Sequence, residues 1–337
     1  MEKNAMQEIA QAEIKQFSNA ELRERIAHWL GPERVPVRLN VITDTTDFYK
    51  VDYDDVVILG GRPYLIRNNE REGRFGIDDQ QKFWVKRSRD LVDGSVKIIK
   101  LVFHERFQAK VGEIVFDCFR SPKKEARILE LTRGHPRFMQ GFSLRDSSDN
   151  IIRIIDYIKG KTLADSILQY GKDHEDYFRN YFPLIFAEYI ELAEAIRFLH
   201  QQGEKHGDIR RDHIIREEET GNSRWIDFDF NYLHKENMFG YDLFGLGNIL
   251  VYLTGRGDVT VQQLRERGSS VLDRITSYDV NIIFNNRVVN LKKVYPYVPD
   301  ELNLILLHFA VSADIFYENT DQLLHDLHEA RDKLYSA

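Results

Sequence analysis

The sequence predicts an α+β protein in two parts. A strand-rich part carrying one helix comes first, then a mainly helical part, and the two join near residues 156–160. Three observations predict this. Two hairpin patterns with glycine at their turns fall between residues 36 and 103. One well-punctuated helix follows, SPKKEARILELTRG. Beyond Gly160, apolar residues recur at helical spacing, with Ile185, Tyr189, Leu192, Ile196 and Leu199 on one face.

The elements follow in chain order. Residues 1–30 read as helix, stopped by Gly31 and Pro32. VDYDDVVILGGRPYLIRN reads as a hairpin turning at Gly60-Gly61, and QKFWVKRSRDLVDGSVKIIKLVF as a second turning at Asp93-Gly94. In the helix after them, Ser121 suits the N-cap, Pro122 the first turn and Gly134 the C-terminal stop. FMQGFSL and the β-branched run NIIRIIDYI read as strands. The long helix over 185–199 ends at Gly203. NLILLHFAV, too short for a membrane span, reads as a core helix.

At 337 residues the chain can build two sizeable cores. It is 42% hydrophobic and 30% charged, which excludes the disordered and membrane classes. Net charge is −7, and the basic clusters at Lys86-Arg87-Ser88-Arg89 and Lys123-Lys124 are short, so no nucleic-acid partner is expected. The single cysteine, Cys118, has no disulfide partner and reads as a small core residue. The N-terminus MEKNAMQEIA lacks an apolar signal region, so the expectation is a cytoplasmic protein without membrane insertion.

After Gly203 comes EKHGDIRRDHIIREE. Taken alone, HGDIRRDH admits three readings: a polar turn, a metal site of His and Asp ligands, or a loop whose Asp208 takes the proton of a hydroxyl. Its company favours the last. Ile214-Ile215 and Arg224-Trp225-Ile226 bracket a turn at Glu217 to Ser223, and that hairpin ends in Asp227-Phe228-Asp229. A loop carboxylate and a strand-end carboxylate are thereby brought side by side. Phosphoryl transfer needs that pair, one acid for the acceptor hydroxyl and one for the metal on the phosphates.

With these residues the chain resembles the protein kinase superfamily, whose catalytic loop has the form H-R-D-L-x-x-x-N and whose metal turn reads D-F-G. The matching segments here are His206 to His213 and Asp227-Phe228-Asp229. YDLFGLGNILVYLTG looks like the buried helix that starts with Asp. Upstream, SVKIIKLVF looks like the strand with the phosphate lysine, EARILELTRGHP like the helix whose Glu pairs with it, and NIIRIIDYIKGKTLAD like the adenine-binding strand and hinge. PDELNLILLHFAVSADIFYENTDQLLHDL looks like the last helices of the family. The resemblance implies a bilobal protein-kinase-like fold. Residues 1–50 would be an N-terminal helical extension, 51–155 an N-lobe of antiparallel sheet plus one helix, 156–160 the hinge, and 161–337 a mainly helical C-lobe.

It also implies roles. Strand alternation puts Ile98 and Lys100 on one face, so Lys100 would meet the ATP phosphates and Ile98 the nucleotide. Glu125 would hold Lys100; as a first-turn glutamate it also suits the helix dipole. Gly73 and Gly76 occupy the second and third positions of the glycine-rich loop, with Arg71 at the first; a plain β-turn explains them equally. The Asp156 carbonyl and the Ile158 amide would bind adenine, with Ile155 behind them. Asp208 would be the base, Arg210 a cation for the transferred phosphate, and Asp227 the principal Mg2+ ligand. Asp242 would hold the loop backbone.

Four departures matter. Gly207 replaces the arginine that answers a phosphorylated activation loop, Asp242 follows only 15 positions after Asp227, no A-P-E is present, and Glu318 stands where an arginine is usual. The H-G-D form resembles aminoglycoside and choline kinases, His213 is similar to the lipopolysaccharide kinases, and together they suggest a bacterial-type kinase. His213 replaces the asparagine of the second Mg2+ site, and imidazole suits Mg2+ poorly. Three explanations stand: Asp229 supplies the oxygen, which ranks first; the working metal is Mn2+; or His213 only orients Asp208. The leading reading is a kinase acting on a hydroxyl of a protein or of a small molecule, lipid or glycan. Alternatives are a nucleotide-binding pseudokinase and, remotely, a metal-dependent phosphohydrolase built on His206, Asp208, His213 and Asp227.

Overall fold

Strand alternation divides the apolar residues of the first half between two faces of one sheet. The computed structural model describes residues 17–74, 77–111, 114–233, 237–313 and 316–336. Helix α1 (Asn19–Leu30) opens with Ser18, which accepts from the Glu21 amide while the Glu21 carboxylate accepts from the Ser18 amide; it ends at Gly31. Strands β1 (Val41–Ile42), β2 (Val56–Leu59), β3 (Arg62–Arg74), β4 (Ile77–Asp90) and β5 (Val96–Lys100) follow. The chain then gives the hairpin β6 (Arg106–Val111) and β7 (Ile114–Arg120), helix α2 (Pro122–Leu131), and strands β8 (Gly141–Arg145) and β9 (Ile151–Asp156).

The contacts group into two units. The first takes the chain up to His104, Pro122–Gly134 and Met139–Tyr157; the second takes Glu105–Ser121, His135–Phe138 and Ile158–Ala337. The first unit holds a seven-stranded sheet of order β1-β2-β3-β4-β5-β9-β8, antiparallel except for the parallel pair β1–β2. Both glycines of the β2–β3 turn have positive φ (56° and 71°), which the two-residue hairpin turn demands. On one face Val57, Leu59, Tyr64, Ile66, Ile99, Leu101, Ile152 and Ile154 form a buried core. Val56 and Leu65 turn to the other face and meet Leu22 and Ile26 of α1. Ile98 and Lys100 alternate with the core residues Ile99 and Leu101 and leave the sheet on that other face.

The second unit is mainly helical. It contains β10 (Gly160–Thr162), α3 (Leu163–Ile167), α4 (His174–Asn180), α5 (Phe182–Gln201), β11 (Ile214–Glu217), β12 (Ser223–Trp225), β13 (Phe230–Leu233), α6 (Gly240–Thr254), α7 (Val261–Glu266), α8 (Asp300–Leu307) and α9 (Thr320–Ser336). The stripe Ile185, Tyr189, Leu192, Ile196 and Leu199 of α5 is buried throughout. Tyr189 Oη donates to the Leu246 carbonyl at 2.9 Å, and Trp225 Nε1 to that of Leu192 at 3.0 Å. Two three-stranded sheets accompany the helices, β10-β11-β12 and β13-β7-β6. Among the described residues no helix is long and apolar enough to cross a membrane.

Because α1 buries Leu22 and Ile26 against the sheet, Ile26→Ala should destabilise the first unit by about 2–5 kcal/mol. Denaturant unfolding of the full chain followed by fluorescence measures the shift.

Candidate active site

In the first unit the Lys100 ammonium lies 2.6 Å from Glu125 Oε1, and both side chains are buried. Register explains the neighbour that the sequence reading missed. Lys100 pairs across the strands with Arg153, so both side chains leave the sheet on the same face. Arg153 Nε lies 3.0 Å from Glu125 Oε2, and its other nitrogens donate to the Ile151 and Leu101 carbonyls. The Glu125 carboxylate is thus shared by two cations and held at both oxygens. A cation inside the apolar run NIIRIID was the available signal, because a buried arginine needs a carboxylate.

Of the other residues expected around a nucleotide, Ile98, Ile155, Asp156 and Gly73 sit on the same sheet. Ile98 pairs with Ile155, which is buried. The Asp156 amide donates to the Gln140 carbonyl, and the Asp156 carboxylate meets Lys97 at 2.5 Å. Ile158 falls in the second unit. Gly73 lies in β3, and Gly76 lies outside the described residues.

In the second unit the loop His206–His213 is suspended from Asp242 of α6, which is 0% exposed. The His206 and Gly207 amides donate to its two oxygens at 2.8 and 2.9 Å. Gly207 has φ of 89°, a conformation that costs a glycine little and an arginine much. His206 is wholly buried, edge-on to Trp225 and Phe228, and its Nδ1 accepts from the Asp208 amide at 3.3 Å. It is a packing residue.

His213 lies between the two acids. Its Nδ1 is 2.8 Å from the Asp208 carbonyl, an acceptor, so Nδ1 carries a proton and Nε2 is the nitrogen on the Asp227 side. Nδ1 is also 3.7 Å from Asp208 Oδ2, and Nε2 is 3.7 Å from Asp227 Oδ2. Asp227 itself has φ of +69°, unusual for an aspartate and typical of a constrained functional turn. Arg210 forks onto Asp212 with its Nε and Nη2, at 3.0 and 2.6 Å; the pair is partly exposed and therefore weak.

Asp229 does not join these residues. Both its oxygens lie 2.7 Å from Arg120 Nη1 in a buried pair, so the first-ranked explanation for His213 loses its oxygen donor. Among the described residues no three His, Cys, Asp or Glu side chains are grouped to hold a metal ion. The trio Asp227, His213 and Asp229 is therefore not assembled, and neither is the four-residue cage of the phosphohydrolase reading. An ion held by two protein ligands plus substrate phosphates needs no such cage. Asp227 with His213 Nε2 fits that need. Cys118, on β7, is buried, and burial pushes its thiol up to about 11, so it is an inert core residue.

No family model matches the chain. It is 28% identical over 176 residues to CBL-interacting protein kinase 11 of Oryza sativa subsp. japonica, covering 52% of this chain and 32% of the relative. It is 31% identical over 139 residues to the putative sperm motility kinase W of Mus musculus, covering 40% and 26%. The chain thus spans about a third or less of the length of these curated relatives. The crystal structure of the Mycobacterium tuberculosis PknI kinase domain aligns with 79% of this chain and 96% of its own, at 12% identity and a TM-score of 0.43.

Asp242→Asn would present an amide NH2 to one of the loop N–H donors. It should cost about 1–3 kcal/mol, read as a lower unfolding temperature and faster hydrogen exchange at the His206 and Gly207 amides. With these kinase relatives, and with a sheet-rich unit followed by a mainly helical one, the chain has a protein-kinase-like α+β fold.

Proposed function

We propose that the protein is an ATP-dependent phosphotransferase that moves the γ-phosphoryl group to a hydroxyl acceptor. The observation that carries the reading is the triple Asp208–His213–Asp227, in which one imidazole lies 3.7 Å from each carboxylate. Asp208 orients the acceptor hydroxyl and takes its proton. Asp227 and His213 Nε2 hold the divalent ion, which neutralises phosphate charge when bound. Lys100, fixed by Glu125 and Arg153, meets the ATP phosphates, and the strand from Ile155 to Asp156 receives adenine. With an imidazole in the ligand set, Mn2+ suits the site better than Mg2+.

The short segment between Asp227 and Asp242 supports a compact acceptor, a hydroxyl on a small molecule, lipid, glycan or folded protein, over an extended peptide. The curated relatives, among them CBL-interacting serine/threonine-protein kinase 3 of Arabidopsis thaliana, support a serine or threonine hydroxyl as one such acceptor.

The test is ATP turnover and phosphate transfer across an acceptor panel with Mg2+ or Mn2+. Asp208→Ala and Asp227→Ala should each lower the rate by about a hundredfold or more, and Lys100→Met should abolish most of it. Tight ATP binding with no turnover under either metal would establish a pseudokinase instead. His213→Asn should shift the metal preference from Mn2+ toward Mg2+ by about tenfold in relative rate.

A further inference from the structure

Asp229 stands where the family's metal turn has glycine, and four contacts converge on it and the residues after it. Arg120, the last residue of β7, places Nη1 2.7 Å from both Asp229 oxygens. Its Nε lies 2.9 Å from Glu105, and its guanidinium lies over the Phe230 ring at 3.9 Å. The Ser121 amide donates to the Asp229 carbonyl at 2.6 Å. From there β13 runs antiparallel along β7, pairing Phe230 with Arg120 through to Leu233 with Asp117. All of this lies within the second unit.

We propose that Arg120 is a positioning residue for Asp227: by gripping Asp229 from the β6–β7 hairpin it holds the metal turn in its binding geometry without phosphorylation of the segment that follows. The proposal rests on the phosphotransferase reading and names how that site is controlled. Its logic is mechanical and electrostatic. A positive φ at Asp227 persists only where the surroundings dictate it, and the hairpin dictates the backbone from residue 229 onward. The second carboxylate, at Asp229, would otherwise repel the metal-binding one two residues away. Arg120 offsets that repulsion: burial opposes its charge, yet Asp229 and then Asp227 raise its basicity. Gly207 removes the arginine that would answer an activation-loop phosphate, and the short segment from Asp227 to Asp242 leaves little loop to be ordered. The hairpin supplies the order from within the chain.

The experiment uses the full-length chain with Arg120→Ala, Arg120→Lys, and the apolar pair Arg120→Met with Asp229→Leu. The pair keeps the variant folded if the lone aspartate does not, because a buried ion pair can be replaced by apolar residues at little cost. Mn2+ affinity in the presence of ATP is read by electron paramagnetic resonance, alongside kcat and KM. The alanine variant and the pair should weaken Mn2+ about tenfold or more and lower kcat by up to about a hundredfold, with metal-free ATP affinity changed little, and lysine should restore part of both. Phosphatase treatment of the wild type should leave its rate unchanged. Wild-type Mn2+ affinity and kcat in a folded alanine variant or in the pair overturn the proposal, as does a rate lost on dephosphorylation. If the wild type binds Mn2+ and ATP but transfers nothing, the phosphotransferase reading fails, and the Mn2+ affinities still decide whether Arg120 positions Asp227.

Discussion

The Asp242 carboxylate is the point from which the loop His206–His213 hangs. It lies in the first turn of α6, where the helix dipole favours a negative charge, and it accepts from two consecutive loop amides. His200 at the end of α5 brings Nε2 to 3.1 Å from the same carboxylate, while its Nδ1 lies 2.6 Å from the hydroxyl of Thr320 at the start of α9. One acid therefore ties the loop to the ends of three helices. With an N–H at Nε2 the histidine donates to Asp242 and accepts the threonine proton at Nδ1, so every member of the chain has a consistent role. The position of Asp208 follows from where α5, α6 and α9 meet.

Buried charge recurs wherever this chain has to hold a site residue still. Glu125 is gripped by Lys100 and Arg153, and Asp229 by Arg120. Buried ion pairs are weak sources of stability, because desolvation offsets most of their attraction. What they provide is geometry, since a fork of fixed donors tolerates few carboxylate orientations. Their location fits that role: one grips Glu125, the partner of Lys100, and another grips the residue two beyond Asp227. The pairs between exposed groups elsewhere, such as Arg133 with Glu130, carry no comparable constraint.

The sequence made some of this legible and hid the rest for identifiable reasons. Period-two alternation sufficed to turn Lys100 away from Ile99 and Leu101, and a local motif sufficed to set Asp208 and Asp227 on adjoining segments. Pro122 opens α2, because a proline in the first helical turn is local chemistry. The β6–β7 hairpin was overlooked although Phe107, Ala109 and Val111 alternate with polar residues in a strand pattern. Its consequence could not have been read even from a correct strand assignment. Arg120 meets Asp229 across 109 residues, and no periodicity carries information over that span. Asp229 was ranked as a metal ligand because i and i+2 share a face on an extended segment. The positive φ of Asp227 breaks that alternation, and a guanidinium reaches Asp229 instead.

His213 links the two halves of the proposed chemistry in one ring. Its Nδ1 proton is fixed by the carbonyl of Asp208, and that bond sets which nitrogen faces Asp227. The bond is to the backbone carbonyl, so it ties the ring to the loop segment that carries Asp208. An asparagine at this position would bring a hard oxygen to the metal, but not an aromatic ring that spans both acids. In the proposed site the imidazole gives up affinity for Mg2+ and gains a position beside both carboxylates. In a chain with so short a segment between Asp227 and Asp242, that ring lies inside the loop His206–His213 itself.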